Sequence, residues 1–211
     1  MRLIRYLVVG LIGAGILWAF HQQGLVSANM RPIAMVRQLS DTVRQASAQS
    51  ANANLAPGQH ALFYTPETNP ERVDVPLIEK VHSSKHIDCA FYSFTDKPTA
   101  EALLAAANRG VKIRIYRDLS QFEDEKSRNA YMMTMFAGNR NIQIRVKGSR
   151  SLMHLKAWST EGLLRDGSSN LSASAKHQDN SITLSSDPAE IKEFEEKFQE
   201  MWERSDNIVV Q

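Results

Sequence analysis

A chain of 211 residues has room for one domain with a buried core plus an appendage, and too little for several domains of ordinary size. Its composition, 43% hydrophobic and 23% charged, is ordinary for a soluble domain. One cysteine, Cys89, rules out an intrachain disulfide and a cysteine-rich zinc site. Set in Ile87-Asp88-Cys89-Ala90-Phe91, it reads as a small core residue. The net charge of +2 is uninformative, but its distribution is not. Arg109 to Arg150 holds ten Lys/Arg against four Asp/Glu, and Asp187 to Asp206 holds eight acids against three bases. A basic middle suits a polyanionic partner, and a solvated mixed-charge surface is the competing reading.

Residues 1–28 read as a targeting segment. Arg2 and Arg5 precede an uncharged, mostly apolar run from Tyr6 to Phe20, and no acid appears before Asp41. The run is short for a membrane span of about 20 residues, and Val26-Ser27-Ala28 offers small residues for a signal peptidase. An uncleaved anchor is favoured over a cleaved signal. Either way the arginines hold the N-terminus in the cytoplasm and send the rest across the membrane. The expected location is the inner membrane with the domain on its periplasmic side, or the periplasm or exterior after cleavage. Residues 29–59, with Ile33, Val36, Leu39, Val43 and Ala46 at helical steps, read as a stalk ended by Pro57-Gly58.

From residue 60 to 211 strand and helix patterns alternate. Strands are expected at His60–Tyr64, Ile87–Phe94, Val111–Tyr116, Ile142–Val146, Leu152–Trp158, Gly162–Arg165 and Ile182–Leu184. Helices are expected at Val75–Ser84, with Pro76 in the first turn, and after an Asp96 N-cap, with Ala100, Leu103, Leu104 and Ala107 inward and Gly110 as the stop. Two more follow, Phe122–Phe136, with Tyr131, Met132, Met135 and Phe136 on one side, and one opened by Asp187-Pro188 with Ile191, Phe194, Phe198 and Met201 or Trp202 inward. This β-α-β order predicts an α/β domain whose mixed, mostly parallel β-sheet is sandwiched by helices.

Chemistry concentrates in Met153-His154-Leu155-Lys156, Glu161-Gly162 and Asp166-Gly167-Ser168-Ser169-Asn170. On an extended segment His154 and Lys156 project to one face. A turn at Asp166-Gly167 could fold Ser168 and Asn170 back over the same spot. Imidazole, ammonium, hydroxyl and carboxamide around one point supply a nucleophile and oxyanion donors for a phosphate diester. His60, His82 and His86 show no metal-ligand spacing.

The pattern H-x-K, an acid five residues after the lysine, then G-S-x-N, resembles the phospholipase D superfamily, above all its small single-motif nucleases and lipases. The likeness runs from Ala90–Thr95 and Arg109–Arg114 through Gln178-Asp179-Asn180 to Phe198–Trp202, about residues 60–203. It departs at Glu161, where the family has aspartate. The resemblance implies a phospholipase D-like fold and metal-independent, cofactor-free hydrolysis. In it His154 is the nucleophile forming a phosphohistidine, Lys156 and Asn170 hold the phosphoryl oxygens and Ser168 adds a donor. Asp179 is expected to orient the imidazole and Glu161 to brace the motif through backbone hydrogen bonds. A leaving oxygen needs a second histidine as acid, and the chain carries one motif. A homodimer with a shared site would supply it, with His177 as the in-chain alternative.

Three functions compete. The first is an exported or membrane-anchored endonuclease cutting DNA or RNA. The second is a phospholipase D-type hydrolase of cardiolipin or phosphatidylcholine. The third is a degenerate member acting as a binding protein. The basic stretch, and the want of an apolar loop beside the motif, favour nucleic acid.

Overall fold

The computed structural model describes residues 55–128, 132–149 and 151–211. The anchor or signal, most of the stalk, Tyr131 and Arg150 lie outside the described residues. Leu55–Gln59, read in sequence as the end of the stalk, are tied to the domain. Gly58 N donates to Ser186 O at 3.0 Å, Ser186 N donates to Gln59 O at 2.9 Å, and Leu55 packs beside Ile182 and Leu184.

Among the described residues the strands are β1 (His60–Thr65), β2 (His86–Phe91), β3 (Lys112–Arg117), β4 (Ile142–Val146), β5 (Lys156–Thr160), β6 (Leu163–Gly167), β7 (Asn180–Ser185) and β8 (Ile208–Val209). The helices are α1 (Pro70–Lys80), α2 (Lys97–Asn108), α3 (Leu119–Ser127) and α4 (Pro188–Trp202), with 3-10 turns at Met132–Phe136 and Ala175–His177. One eight-stranded sheet runs in the order β1-β7-β6-β5-β2-β3-β4-β8.

The sheet is mixed and flanked by helices on both faces, as expected. Parallel pairing, however, is confined to β2–β3 and β3–β4, and every other neighbour is antiparallel. Local chemistry accounts for part of this. Glu161-Gly162 joins β5 to β6 as a two-residue hairpin with Thr160 opposite Leu163, and Gly162 sits at φ +83°, which L side chains rarely adopt.

Caps set the helix starts. Asn69 accepts from Glu71 N at 3.1 Å and Pro70 occupies the first turn, so α1 begins five residues before the expected Val75 and Pro76 falls inside it. Asp96 caps α2 through Thr99 N, and Ala100, Leu103 and Ala107 are buried as expected. The single helix expected over Phe122–Phe136 is instead α3, capped by Asp118, followed by the turn at Met132–Phe136. The short edge strand β8, pairing Val209 with Arg145, went unanticipated.

The main core fills the sheet face under α1 and α2, with Ile87, Cys89, Phe91, Ile113, Ile115, Ile144 and Trp158 buried. Burial pushes the Cys89 thiol well above its usual range, which keeps it an inert core group. α4 covers the other face, where Phe198, Met201 and Trp202 pack on Ala90 and Tyr116, and Ile191 packs on Ala157 and Leu164. Burying each such side chain is worth about 1.5–3 kcal/mol. That outweighs the acidic outer face of α4, since exposed charge pairs contribute about 1 kcal/mol or less each.

Candidate active site

The C-terminal ends of the parallel strands β2 and β3, and the start of β5, fall at one edge of the sheet, because Phe91 pairs with both Arg117 and Lys156. Here parallel pairing gives way to antiparallel pairing and chain ends leave the sheet, the usual place for a site in an open α/β sheet. The two sequence segments meet there.

His154 lies just before regular strand pairing begins. The expected strand over Leu152–Trp158 starts only at Lys156, because the Asp118 side chain takes Met153 N at 2.9 Å in place of a strand partner. Buried Met153 on one side, and a Leu155 O to Tyr92 N bond of 2.9 Å on the other, fix the backbone around an exposed imidazole. The imidazole meets the Tyr92 ring edge-on, centroids 4.4 Å apart. Among the described residues the histidine–carboxylate pairs involve His60 and His86, not His154.

Lys156, by contrast, is 5% exposed. Its ammonium donates to His154 O at 2.6 Å and lies 4.6 Å from the Tyr92 ring centre. Burial lowers its pKa to about 8, opposed by the charge of Asp166. The result is a cation poised beside the histidine, with no carboxylate bonded to it among the described residues.

The second segment follows from one glycine. Gly167 has φ +138°, and a Cβ there would lie 2.4 Å from Ser181 O, so only glycine lets β6 end this close to β7. Ser168 N and Ser169 N then both donate to Ser181 O at 3.1 Å. The Ser168 hydroxyl accepts from Ser181 N at 2.9 Å and donates to Asn180 Oδ1 at 3.3 Å, so this exposed side chain caps β7 as well as facing the site edge. Asn170 is half-buried, and its Oδ1 has no hydrogen-bond partner among the described residues. Leu171 O closes the loop by accepting from Thr95 N and Asp96 N at 3.0 and 3.1 Å.

Two expected residues stand apart. Asp179 is exposed on the turn before β7, and no ion pair joins it to His154. Glu161 sits on the hairpin at the far end of β5 and pairs with Lys85, whose ammonium holds its carboxyl below the usual range. The backbone bracing expected of Glu161 gives way to that exposed ion pair, because the two-residue turn carries its side chain into solvent.

The basic middle also reads differently in three dimensions. Arg117 and Lys147 are buried, Arg114 is paired with Asp88 under the rings of Phe198 and Trp202, and Arg145 lies over Trp202. Arg109, Lys112 and Arg140 are exposed, but they flank the starts of β3 and β4, the end of the sheet away from His154. Lys126 and Arg128, at the end of α3, are exposed as well, so among the described residues four bases of this stretch are drawn into the fold and five stay at the surface.

Sequence reading missed the buried ionic supports. Arg165, on β6, bonds Asp74 of α1, and Arg117 bonds Glu125 and the carbonyl oxygens of Phe91 and Tyr92. The available signal was a charge inside an apolar run, Leu163-Leu164-Arg165 and Val73-Asp74-Val75.

Comparisons with known proteins agree with the motif. A family described as cardiolipin synthase, PLD-like domain, matches residues 77–202. Among solved structures, Nuc from Salmonella typhimurium, a phospholipase D family member, is similar at 22% identity and TM-score 0.62, over 72% of this chain and 98% of its own. NucT from Helicobacter pylori is similar at 22% identity and TM-score 0.59, over 69% and 96%. Phosphatidylserine synthase from Haemophilus influenzae is similar at 14% identity and TM-score 0.53, over 87% and 48%. No curated protein sequence matches. With a family match over more than half its length and an H-x-K and G-S-x-N pair brought to one sheet edge, the chain belongs to the phospholipase D-like superfamily of phosphodiesterases.

Proposed function

We propose that the protein is an endonuclease that hydrolyses nucleic-acid phosphodiesters through a phosphohistidine on His154. The observation that carries the reading is the contrast at one spot between an exposed imidazole and a buried ammonium bonded to the same residue's carbonyl. The imidazole attacks phosphorus and displaces the first leaving oxygen. Lys156 and the Asn170 carboxamide hold the non-bridging oxygens as charge builds in the pentacovalent state. Water then attacks phosphorus and releases His154.

An open site supports a polymer substrate, since His154 and Ser168 stand at the surface rather than in a channel. A cavity of about 430 Å³ with Leu155, Leu164 and Phe194 in its wall also carries Asp166, Glu190, Glu193, His60 and Lys197, and neither His154 nor Ser168 lines it. So charged a wall suits an acyl chain poorly. A second reading, hydrolysis of cardiolipin or phosphatidylcholine, is favoured by the family matched over 77–202 and by Leu152, 57% exposed two residues before His154.

The leaving oxygen needs an acid. One motif, and a His154 without a carboxylate partner among the described residues, support a homodimer whose twofold axis brings two His154 side chains together. The apolar N-terminal run behind Arg2 and Arg5 supports delivery across, or anchoring at, a membrane. The deciding experiment is plasmid and RNA digestion run beside cardiolipin and phosphatidylcholine turnover, all in EDTA, with His154→Ala as control. Cleavage of nucleic acid alone supports the nuclease, and turnover of lipid alone replaces it with the second reading. Activity surviving in His154→Ala removes the mechanism. Co-expression with excess His154→Ala should suppress activity beyond dilution if the site is shared.

A further inference from the structure

Arg165 has none of its surface exposed, and its guanidinium does three things at once. Nε donates to Asp74 Oδ1 at 3.0 Å, and one terminal nitrogen donates both to Lys156 O at 2.5 Å and to Ser169 O at 3.0 Å. Asp74, 1% exposed, is itself steadied by Trp158 Nε1 at 2.8 Å. One side chain thus bridges the carbonyl of the H-x-K lysine and the carbonyl of the residue before the G-S-x-N asparagine.

We propose that Arg165, held by Asp74, is the positioning residue that sets Asn170 against Lys156 so that both reach the same phosphoryl oxygens. This rests on the phosphodiesterase reading above. Three observations carry it. A buried ion pair is a poor source of net stability compared with apolar packing, so its contribution here is geometric. Only a planar fork with several donors can serve a carboxylate and two carbonyls together, and a lysine could satisfy only part of that set. Finally, buried Asn170 Oδ1 has no hydrogen-bond partner among the described residues, so the carboxamide is placed by the Ser169–Leu171 backbone, and Arg165 anchors the first residue of that stretch.

The test uses Arg165→Lys, which keeps a charge for Asp74 but cannot span both carbonyls, with Asn170→Ala and the double variant. The readouts are kcat and KM on bis(p-nitrophenyl) phosphate and calorimetric binding of tungstate, a tetrahedral oxyanion. A displacement near 1 Å is expected to lower kcat on the order of 100-fold. KM should change little, and tungstate affinity should weaken as it does in Asn170→Ala. The double variant is expected to be no worse than Asn170→Ala alone, since Arg165 acts through that residue. Wild-type kcat in folded Arg165→Lys, or losses that multiply in the double variant, overturn the proposal. Should Arg165→Lys not fold, Asp74→Asn, which keeps the shape and removes the charge, answers the same question. Lowered kcat and weaker tungstate binding support the proposal, and wild-type values overturn it. A wild type that neither cleaves the diester nor binds tungstate defeats the functional reading instead.

Discussion

Lys156 and Ser169 lie in the interior, 5% and 0% exposed, whereas His154 and Ser168, within two residues of them, stand in solvent. The buried half is held by buried ion pairs, Arg165 to Asp74 across 91 residues and Arg117 to Glu125 on the neighbouring helix. The exposed half is held by its neighbours' backbone, with His154 between two fixed peptide groups and Ser168 tied to β7. On the proposed nuclease reading the contrast separates two tasks. A group that must reach a polymer's phosphorus has to be accessible, while the groups that hold its oxygens work best where water is scarce and charge interactions are strong.

The largest break in this comparison comes from the exposed half. His154→Ala closes the covalent route and should cost several orders of magnitude in kcat. Its unfolding midpoint should stay close to wild type, because an exposed ring leaves no cavity. A steady-state assay paired with thermal unfolding checks both.

The buried half should respond in the opposite way. Asp74→Ala leaves the Arg165 guanidinium buried without its carboxylate and should destabilise the fold by about 3–5 kcal/mol. Urea unfolding should show the midpoint dropping while the slope stays constant.

A third change sharpens the electrostatic side. With its pKa lowered to about 8, Lys156 in the free enzyme loses its proton near that pH, so kcat/KM should fall as pH rises through about 8. Asp166 acts to raise that value, so Asp166→Asn should move the alkaline limb to lower pH. The stability effect has the opposite sign. The unfolded lysine keeps its proton up to about 10.5 and the folded one does not, so the charged lysine is a cost that rising pH relieves between the two values.

The smallest effect belongs to the residue where the motif departs from its family. Glu161 makes an exposed pair with Lys85 at the far end of β5, so Glu161→Gln should leave the unfolding midpoint close to wild type and kcat within a factor of two. A large loss of activity would return Glu161 to the site.

Much of this was legible in the chain itself. The apolar periods at Ile87–Phe91, the Asp96 and Asp187 caps with a proline beside each, and the Glu161-Gly162 turn are decided within a few residues. Burial pattern and backbone hydrogen bonding there depend on near neighbours. The motif residues His154, Lys156, Ser168 and Asn170 were legible for the same reason, being two short runs with a turn between them.

What only the tertiary structure decided spans longer separations. Strand order put β5 beside β2 and β1 beside β7, making the sheet less parallel than the β-α-β pattern implied. It turned the basic middle inward at Arg114, Arg117 and Arg145, and it met Arg165 with a carboxylate 91 residues away. A charged residue's burial is fixed by what the whole sheet packs against it. No local period records that, so the groups supporting the site lay hidden in the sequence while those expected to react stood in plain view.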